Sequence, residues 1–375
     1  MRSEMSTLKL ESLQVQNFRT FRDLTIDRFG PVNLIVGQNN VGKTALLEAL
    51  WIWAHQEFWY DLATVLEKRY PESDSGLKRE VIDYRFEAIS SLWFGKPKRK
   101  NIYEKDISIG PPDYRRMYAS FREEREKLLR REVVKGPMVQ VKREKESVLN
   151  NWISISDPET SDISSNQDIK LTGKFVSSSG IYRGDATDLY DEVVRRNQKD
   201  RLIKILQIVE PNAKDVNWIE EPQLSFSLSA DRLRPELMGY QGRIPVISKP
   251  DSGRSLPLEM FGEGTKRAVW LGCALVTSQD GILLIDEIEN GLHYSVQPDL
   301  WRMIFETARE LDVQVFATTH SRDCVESFQQ VSEEHPEEGV LIQLRRKRSD
   351  PEKISAVTVN EEELQDALRF QVDPR

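Results

Sequence analysis

The chain has 375 residues, of which 39% are hydrophobic and 30% are charged, and its formal net charge is −8. This length allows a substantial buried core in two domains or in one large interrupted domain. The N-terminus has no apolar core of signal-peptide length, and no stretch approaches the roughly 18 uncharged residues of a membrane span, so we expect a cytoplasmic protein without a membrane partner.

Three strands are predicted near the N-terminus, over about residues 8–15, 21–26 and 32–36, followed by a helix over about 42–54. Between the third strand and the helix, residues 37–44 read GQNNVGKT, which matches the phosphate-binding pattern G-x-x-x-x-G-K-[ST]. In such a loop, glycines let backbone N–H groups converge on phosphate oxygens, and the helix N-terminus favours an anion. The loop therefore predicts a site for the phosphates of a nucleotide.

Two side chains of this loop have separate predicted contacts. Lys43 is expected to reach the β- and γ-phosphates, and the Thr44 hydroxyl is expected to bind Mg²⁺, which prefers few protein oxygens together with phosphates and waters. The complete predicted cradle comprises Gly37, Gln38, Asn39, Asn40, Val41, Gly42, Lys43, Thr44 and Ala45.

The middle of the chain has a weaker pattern, with helical signals near residues 57–69, 115–132 and 189–209. Residues 96–145 carry 16 Lys and Arg against 8 Asp and Glu, with tyrosines and a phenylalanine between them. Such a segment could bind a nucleic-acid backbone and stack on bases, or it could be a solvated helical face, since the run FREEREKLLRRE alternates charge at helical spacing. Both interpretations stay open, although the net negative charge argues against general nucleic-acid affinity.

The last third of the chain contains a continuous apolar run, 281–287, that ends in Asp286 and Glu287. Such a run is typical of a parallel strand buried on both faces. Because neighbouring side chains at a strand end point in different directions, we expect Asp286 to anchor the magnesium shell and Glu287 to polarise the attacking water. The elements predicted after it are a helix over 294–311, a buried strand over 313–318, a helix over 322–332 and a hairpin of 340–346 with 354–359.

The histidines and cysteines of this region receive different interpretations. His320 directly follows the predicted strand in the run ATTHS, where an imidazole could hydrogen-bond the γ-phosphate and the nearby water. His293 could face either the site or a partner subunit. Cys273 and Cys324 form no spacing pattern and lie in predicted helices, which favours buried reduced thiols over a disulfide or a metal site.

A second glycine-rich turn, FGEGTKR at 261–267, precedes a helix predicted over about 265–278. Backbone donors at a helix start favour an anion, so Gly262, Gly264 and Thr265 are candidates to contact nucleotide on an opposing subunit. The alternative is a plain turn in which Thr265 is the N-cap.

Together these motifs resemble ABC-type ATPase heads of the SMC and RecF kind, and most closely the AAA-type ATPases of the overcoming-lysogenization-defect (OLD) family. The resemblance rests on NFR at 17–19, GQNNVGKT, FGEGTKR, ILLIDEIENGLH and ATTHS. It implies an α/β fold with a mixed sheet, flanking helices and an N-terminal antiparallel β-lobe. The core would be split between 1–56 and 254–375, with an inserted helical or mixed region at 57–253.

The resemblance also implies a homodimer in which each ATP lies between one subunit's phosphate-binding loop and the other's signature turn. By this likeness Gly264 and Thr265 act on the partner's nucleotide, His320 senses the γ-phosphate, and Arg19 lies near the nucleotide. The signature turn departs from the family pattern in lacking Ser-Gly-Gly. OLD nucleases continue into a Toprim domain, whereas this sequence shows no nuclease site, so the resemblance implies a separate effector protein, often a nuclease.

Three functions follow from these patterns. The leading hypothesis is an ATP-hydrolysing sensor or regulatory subunit in bacterial anti-phage defence. The second is an SMC- or RecF-like repair or maintenance ATPase that binds DNA through its basic middle segment. The third is a scaffold that binds nucleotide without hydrolysing it.

Overall fold

The computed structural model describes residues 8–55, 91–95, 106–113, 116–124, 136–143, 152–154, 171–181, 183–220, 243–249, 255–347 and 349–359. The chain divides into two compact units, the first formed by 1–173 with 337–375 and the second by 174–336. The helix predicted near 57–69 and much of the basic segment, including Arg130 and Arg131, lie outside the described residues. Among the described helices, none has the length and apolar character needed to cross a membrane.

The described strands follow one another along both units. They are β1 (Leu13–Phe18), β2 (Phe21–Ile26), β3 (Val32–Gly37), β4 (Ile107–Gly110), β5 (Met117–Glu124), β6 (Gly136–Arg143), β7 (Trp152–Ser154), β8 (Gly173–Val176), β9 (Asp215–Glu220), β10 (Arg243–Ser248), β11 (Ser255–Pro257), β12 (Ile282–Ile285), β13 (Gln314–Thr318), β14 (Gly339–Lys347) and β15 (Asp350–Val359). The described α-helices are α1 (Lys43–His55), α2 (Arg183–Arg195), α3 (Lys199–Val209), α4 (Glu263–Thr277), α5 (Gln297–Leu311) and α6 (Arg322–Glu334).

The first unit contains an antiparallel sheet in the order β2-β1-β4-β5-β6-β7. It also contains β3, which pairs in parallel with β14, and β14 pairs antiparallel with β15. Every residue of β3 is buried, which agrees with its largely apolar sequence. The register places Leu344 of β14 beside Gly37, so the carboxyl end of β14 lies at the phosphate-binding loop.

The second unit contains strands in the order β13-β12-β8 and a smaller sheet in the order β11-β10-β9. Strands β12 and β13 run parallel and are buried along their whole length, with Ile285 beside Ala317. Because parallel strands end at the same edge of a sheet, Asp286 and His320 emerge together there. Helix α4 packs against α2 and α3. Cys273 and Cys324 are buried free thiols within α4 and α6.

Three predicted elements differ from the structure. Residues 117–124 form strand β5 and not the start of a helix over 115–132, because pairing with β4 and β6 overrides the helical spacing of the charges. The helix predicted near 189–209 is two helices, α2 and α3, with Asn197 between them at a left-handed φ of 55°. The first strand begins at Leu13 and not at residue 8.

Arg116 belongs to the basic segment, but its side chain does not lie on the surface. Its side chain is buried and donates to the Ser108 hydroxyl at 2.7 and 3.0 Å and to the Gln14 side-chain oxygen at 2.7 Å. These contacts join β1 to β4, so Arg116 stabilises the antiparallel sheet.

Candidate functional site

The phosphate-binding loop of the first unit connects β3 directly to α1. Gln38, Asn39 and Asn40 are exposed between the buried strand and the helix. The Lys43 side chain is buried, and its Nζ donates to the carbonyl oxygens of Gly37 at 2.6 Å and Gln38 at 3.2 Å. The loop therefore binds the side chain of its own lysine through two of its carbonyl oxygens, and the contact of Lys43 with phosphate stays a prediction.

Glycine is required at Gly42 for two reasons. Its φ is +103°, and a Cβ atom there would lie 2.6 Å from the Thr20 hydroxyl and 2.9 Å from the Phe21 ring. The neighbouring residue Asn40 also has a left-handed φ, of 60°, and its carbonyl oxygen accepts a 2.6 Å hydrogen bond from Arg346 of β14. The loop conformation is thus supported by tertiary contacts from both sides.

Arg19 is placed in an ion pair within the first unit. Its Nε lies 3.0 Å from Oε2 of Glu48 on α1, and the two side chains are 7% and 5% exposed. Arg19 also donates to the Ser91 hydroxyl. These contacts attach the turn between β1 and β2 to the helix that follows the phosphate-binding loop, and the contact of Arg19 with nucleotide stays a prediction.

In the second unit, the acidic strand end places its two carboxylates in different surroundings. Asp286 is buried, and its Oδ1 accepts a 2.6 Å hydrogen bond from the Thr318 hydroxyl, whose oxygen accepts the Glu287 N–H at 2.9 Å. The Glu287 side chain is 39% exposed, and its Oε1 lies 3.6 Å from His320 Nε2. One carboxylate is therefore held in place, and the other faces solvent beside an imidazole.

The backbone around His320 is held by an acidic residue that the sequence motifs do not single out. Oε1 of Glu289 accepts the N–H groups of His320 at 2.8 Å and Ser321 at 3.1 Å. The only sequence signal for Glu289 is its position two residues after Glu287. Thr318 is likewise visible in the motif ATTHS, but its contact with Asp286 joins residues 32 positions apart.

The second glycine-rich turn begins α4, and Gly262 is its N-cap. The prediction of Thr265 as a possible N-cap is wrong, because Thr265 lies inside the first helical turn and is buried. A Cβ atom at Gly264 would lie 2.7 Å from the carbonyl oxygen of Gly291, so this turn packs directly on the segment after Glu289. Gly262 is exposed, and a Cβ atom added there would have no atom of the described residues within 4 Å.

His293 lies in the same segment and is exposed. Its ring Nδ1 accepts the Ser295 N–H at 3.3 Å and caps a short 3₁₀ turn, Tyr294–Val296. Its structural role is therefore local, and its predicted facing toward a site or a partner subunit stays open.

Comparison with known proteins assigns most of the chain to one family. Residues 32–323 match the family described as "AAA domain, putative AbiEii toxin, Type IV TA system". The chain is 22% identical over 359 residues to an "ATP/GTP phosphatase" of Helicobacter pylori, covering 87% of this chain and 89% of that protein. It is 44% identical over 45 residues to the DNA replication and repair protein RecF of Clostridioides difficile, covering 12% of each.

Among solved structures, the SMC head bound to the C-winged helix domain of ScpA is similar with a TM-score of 0.49 and 16% identity, over 94% of this chain and 98% of that chain. The family match covers most of the chain and includes the phosphate-binding loop, the second glycine-rich turn and the acidic strand end. The chain therefore belongs to the AAA-domain family described as putative AbiEii toxins of type IV toxin–antitoxin systems.

Proposed function

We propose that this chain is a Mg²⁺-dependent ATPase of the ABC type. The observation that carries the proposal is the joint presence of a glycine-dependent phosphate loop and a strand end with one fixed and one exposed carboxylate. Phosphoryl transfer requires mainly positioning and electrostatic stabilisation from the protein, and these two groups of residues supply both. The H. pylori relative named as an ATP/GTP phosphatase supports the same reaction.

The phosphate loop would bind the triphosphate through its backbone N–H groups. Lys43 Nζ would leave the carbonyl oxygens of Gly37 and Gln38 for the β- and γ-phosphates, which its flexible stem allows. Thr44 and Asp286 would hold Mg²⁺, because a hydroxyl and a carboxylate are hard oxygen donors, which suit this ion. When bound, Mg²⁺ neutralises the charge that develops on the phosphate oxygens.

Glu287 would hold and polarise the attacking water. The water oxygen bonds to the γ-phosphorus, the bond to the β–γ bridging oxygen breaks, and ADP leaves while the water proton passes to Glu287. His320, 3.6 Å from that carboxylate, would donate a hydrogen bond to the γ-phosphate or the water. Glu289 would keep the His320 backbone in place during this step.

Two substitutions in different units test the assignment. Lys43→Ala should weaken ATP binding by roughly tenfold or more, because it removes the side-chain cation of the loop and its charge-assisted contacts with phosphate. Glu287→Gln should retain ATP binding and lose turnover, because the amide cannot accept the proton. Phosphate release and equilibrium binding of a fluorescent ATP analogue measure the two effects. Turnover by both variants at the parent rate would show that the site is assigned wrongly.

The proposal includes a homodimer that closes around nucleotide, with Gly262, Gly264 and Thr265 of one copy near the γ-phosphate held by the other. The exposure of Gly262 supports a contact there. Thr265 is buried, and its N–H already donates to the Gly262 carbonyl oxygen at 3.1 Å. Sedimentation of Glu287→Gln with and without ATP tests this arrangement. A species that stays monomeric with saturating ATP would contradict it.

The biological role that we propose is a sensor or regulatory subunit of an anti-phage defence system, acting with a separate effector protein such as a Toprim-like nuclease. The support is the family description, which names a toxin of a toxin–antitoxin system. Phage-plating efficiency in cells that carry the complete locus, compared with the Glu287→Gln locus, is the test. Equal plating on both would refute the defence role.

DNA repair is the second candidate, favoured by the local similarity to RecF. It requires DNA binding by residues 96–145, of which Arg116 is not available because it is buried. Salt-dependent DNA binding that disappears when Arg130, Arg131, Lys142 and Arg143 are neutralised would support it. ATP binding without turnover in the unmodified protein would instead support a scaffold.

A further inference from the structure

A buried arginine, Arg267, connects the start of helix α4 to the acidic strand end of the second unit. It lies three residues after Gly264 and is 4% exposed. Its Nη2 donates to the carbonyl oxygens of Asp286 at 2.7 Å and Glu287 at 2.9 Å, and its Nη1 donates to that of Ser177 at 2.5 Å. One guanidinium therefore ties together three separate segments of the chain.

An arginine can donate to all three carbonyl oxygens at once, which a lysine is less able to do. Its planar fork presents several donors in fixed directions, whereas an ammonium is a compact charge on a flexible stem. Burial lowers the pKa of Arg267 to about 10, while the carboxylates of Asp286, Glu289 and Glu287 act in the opposite direction. The group stays protonated at neutral pH, so it keeps all of its donors.

The backbone conformation of Glu287 shows what these donors accomplish. Its φ is 49°, in the left-handed region that side-chain-bearing residues rarely adopt and that persists only where surrounding contacts enforce it. The N–H of Glu287 donates to the Thr318 hydroxyl oxygen, and its C=O accepts from Arg267 at 2.9 Å and from the Asn290 N–H at 3.0 Å. These contacts fix both peptide groups of Glu287, and among them Arg267 supplies the side-chain contact to its C=O, which links the direction of the carboxylate to helix α4.

We propose that Arg267 is a positioning residue for ATP hydrolysis, which holds the Glu287 backbone in its left-handed conformation and transmits the placement of the Gly262–Gly264 turn to that carboxylate. This inference rests on the proposed ATPase function. Movement of the first turn of α4, where a second copy would contact nucleotide, would move the guanidinium and with it the catalytic carboxylate. Hydrolysis is thereby made sensitive to the state of the turn.

The test compares Arg267→Lys and Arg267→Ala with Arg201→Ala, a control that removes the Arg201–Glu310 ion pair of the same unit. We expect turnover of both Arg267 variants to fall roughly 10- to 100-fold, as a misplacement of about 1 Å can cause. Affinity for ATP should stay within about twofold of the parent, because Lys43 and Thr44 are unchanged. Guanidinium ions at tens of millimolar should partly restore turnover to Arg267→Ala, and equal concentrations of NaCl or urea should not.

Several outcomes would overturn the inference. One is parent-level turnover in Arg267→Lys. Another is a loss of turnover in Arg267→Ala that equals the loss of folded protein measured by circular dichroism, together with no restoration of turnover by guanidinium ions. If Arg267→Ala does not fold, Arg267→Lys decides the question alone, since it keeps the charge. If the parent protein binds ATP without hydrolysing it, the proposed function fails and the inference fails with it. If the parent hydrolyses ATP and the Arg267 variants hydrolyse it at the same rate, only the inference fails and the proposed function stands.

Discussion

The Thr318→Val substitution probes how the acidic strand end is held. Valine has nearly the shape of threonine, so the change removes the hydroxyl with little effect on packing at this fully buried position. Two hydrogen bonds are lost, one to the Asp286 carboxylate at 2.6 Å and one from the Glu287 N–H at 2.9 Å. The Asp286 carboxylate and the Glu287 N–H stay in the protein after the substitution, so the loss of stability includes the cost of leaving them without their partner.

The expected loss of stability follows from these two contacts. A hydrogen bond to a charged group contributes about 1.5–3 kcal/mol, and a buried donor left without an acceptor costs about 1–3 kcal/mol. Allowing for partial compensation by water, we expect the free energy of unfolding to fall by about 2–4 kcal/mol. For a unit of this size, that corresponds to a melting temperature lower by roughly 4–16 °C. Turnover should fall as well, because the Glu287 N–H loses its acceptor.

Thr277→Val is the matched control. Thr277 is equally buried in the same unit, but its hydroxyl donates to the helix carbonyl oxygens of Cys273 and Ala274. Its replacement leaves no backbone donor orphaned, so the melting temperature should change by less than half as much. Calorimetry and phosphate release on both variants provide the measurement. Equal melting temperatures for the two variants would contradict this account of Thr318.

Two further predictions concern the loop and the thiols. Gly42→Ala should abolish measurable ATP binding and lower the free energy of unfolding by about 1–3 kcal/mol, because its Cβ would meet Thr20. The control is Gly262→Ala, which should melt like the parent because its Cβ would meet no described atom within 4 Å. Equal ATP affinity of Gly42→Ala and the parent would contradict this prediction. Burial raises the pKa of Cys324 to about 12 and raises that of Cys273 as well, so both thiols are protonated at pH 8 and should not react with an aromatic disulfide reagent until the protein is unfolded. Release of one equivalent of thiolate chromophore from the native protein would show that a thiol is accessible.

Much of the second unit's element order could be predicted because the signals are local. The apolar run before Asp286 predicts a buried strand, and β12 is buried at every residue. The charge alternation of 115–132 is equally local, yet β5 forms there because strand pairing contributes more than charge spacing along a helix. A local pattern therefore predicts an element reliably only where no stronger pairing competes for the same residues.

The phosphate-binding loop could be identified without any structure, since its requirements are a fixed glycine spacing, a preceding strand and a following helix, all within a short stretch of chain. The contacts that hold the acidic strand end became visible only in the folded chain. Thr318 contacts Glu287 across 31 positions, Glu289 contacts His320 across 31 positions, and Arg267 contacts Asp286 across 19. Such contacts arise from the register of β12 beside β13 and from the packing of α4, and register depends on the pairing of whole strands rather than on the identity of any one residue.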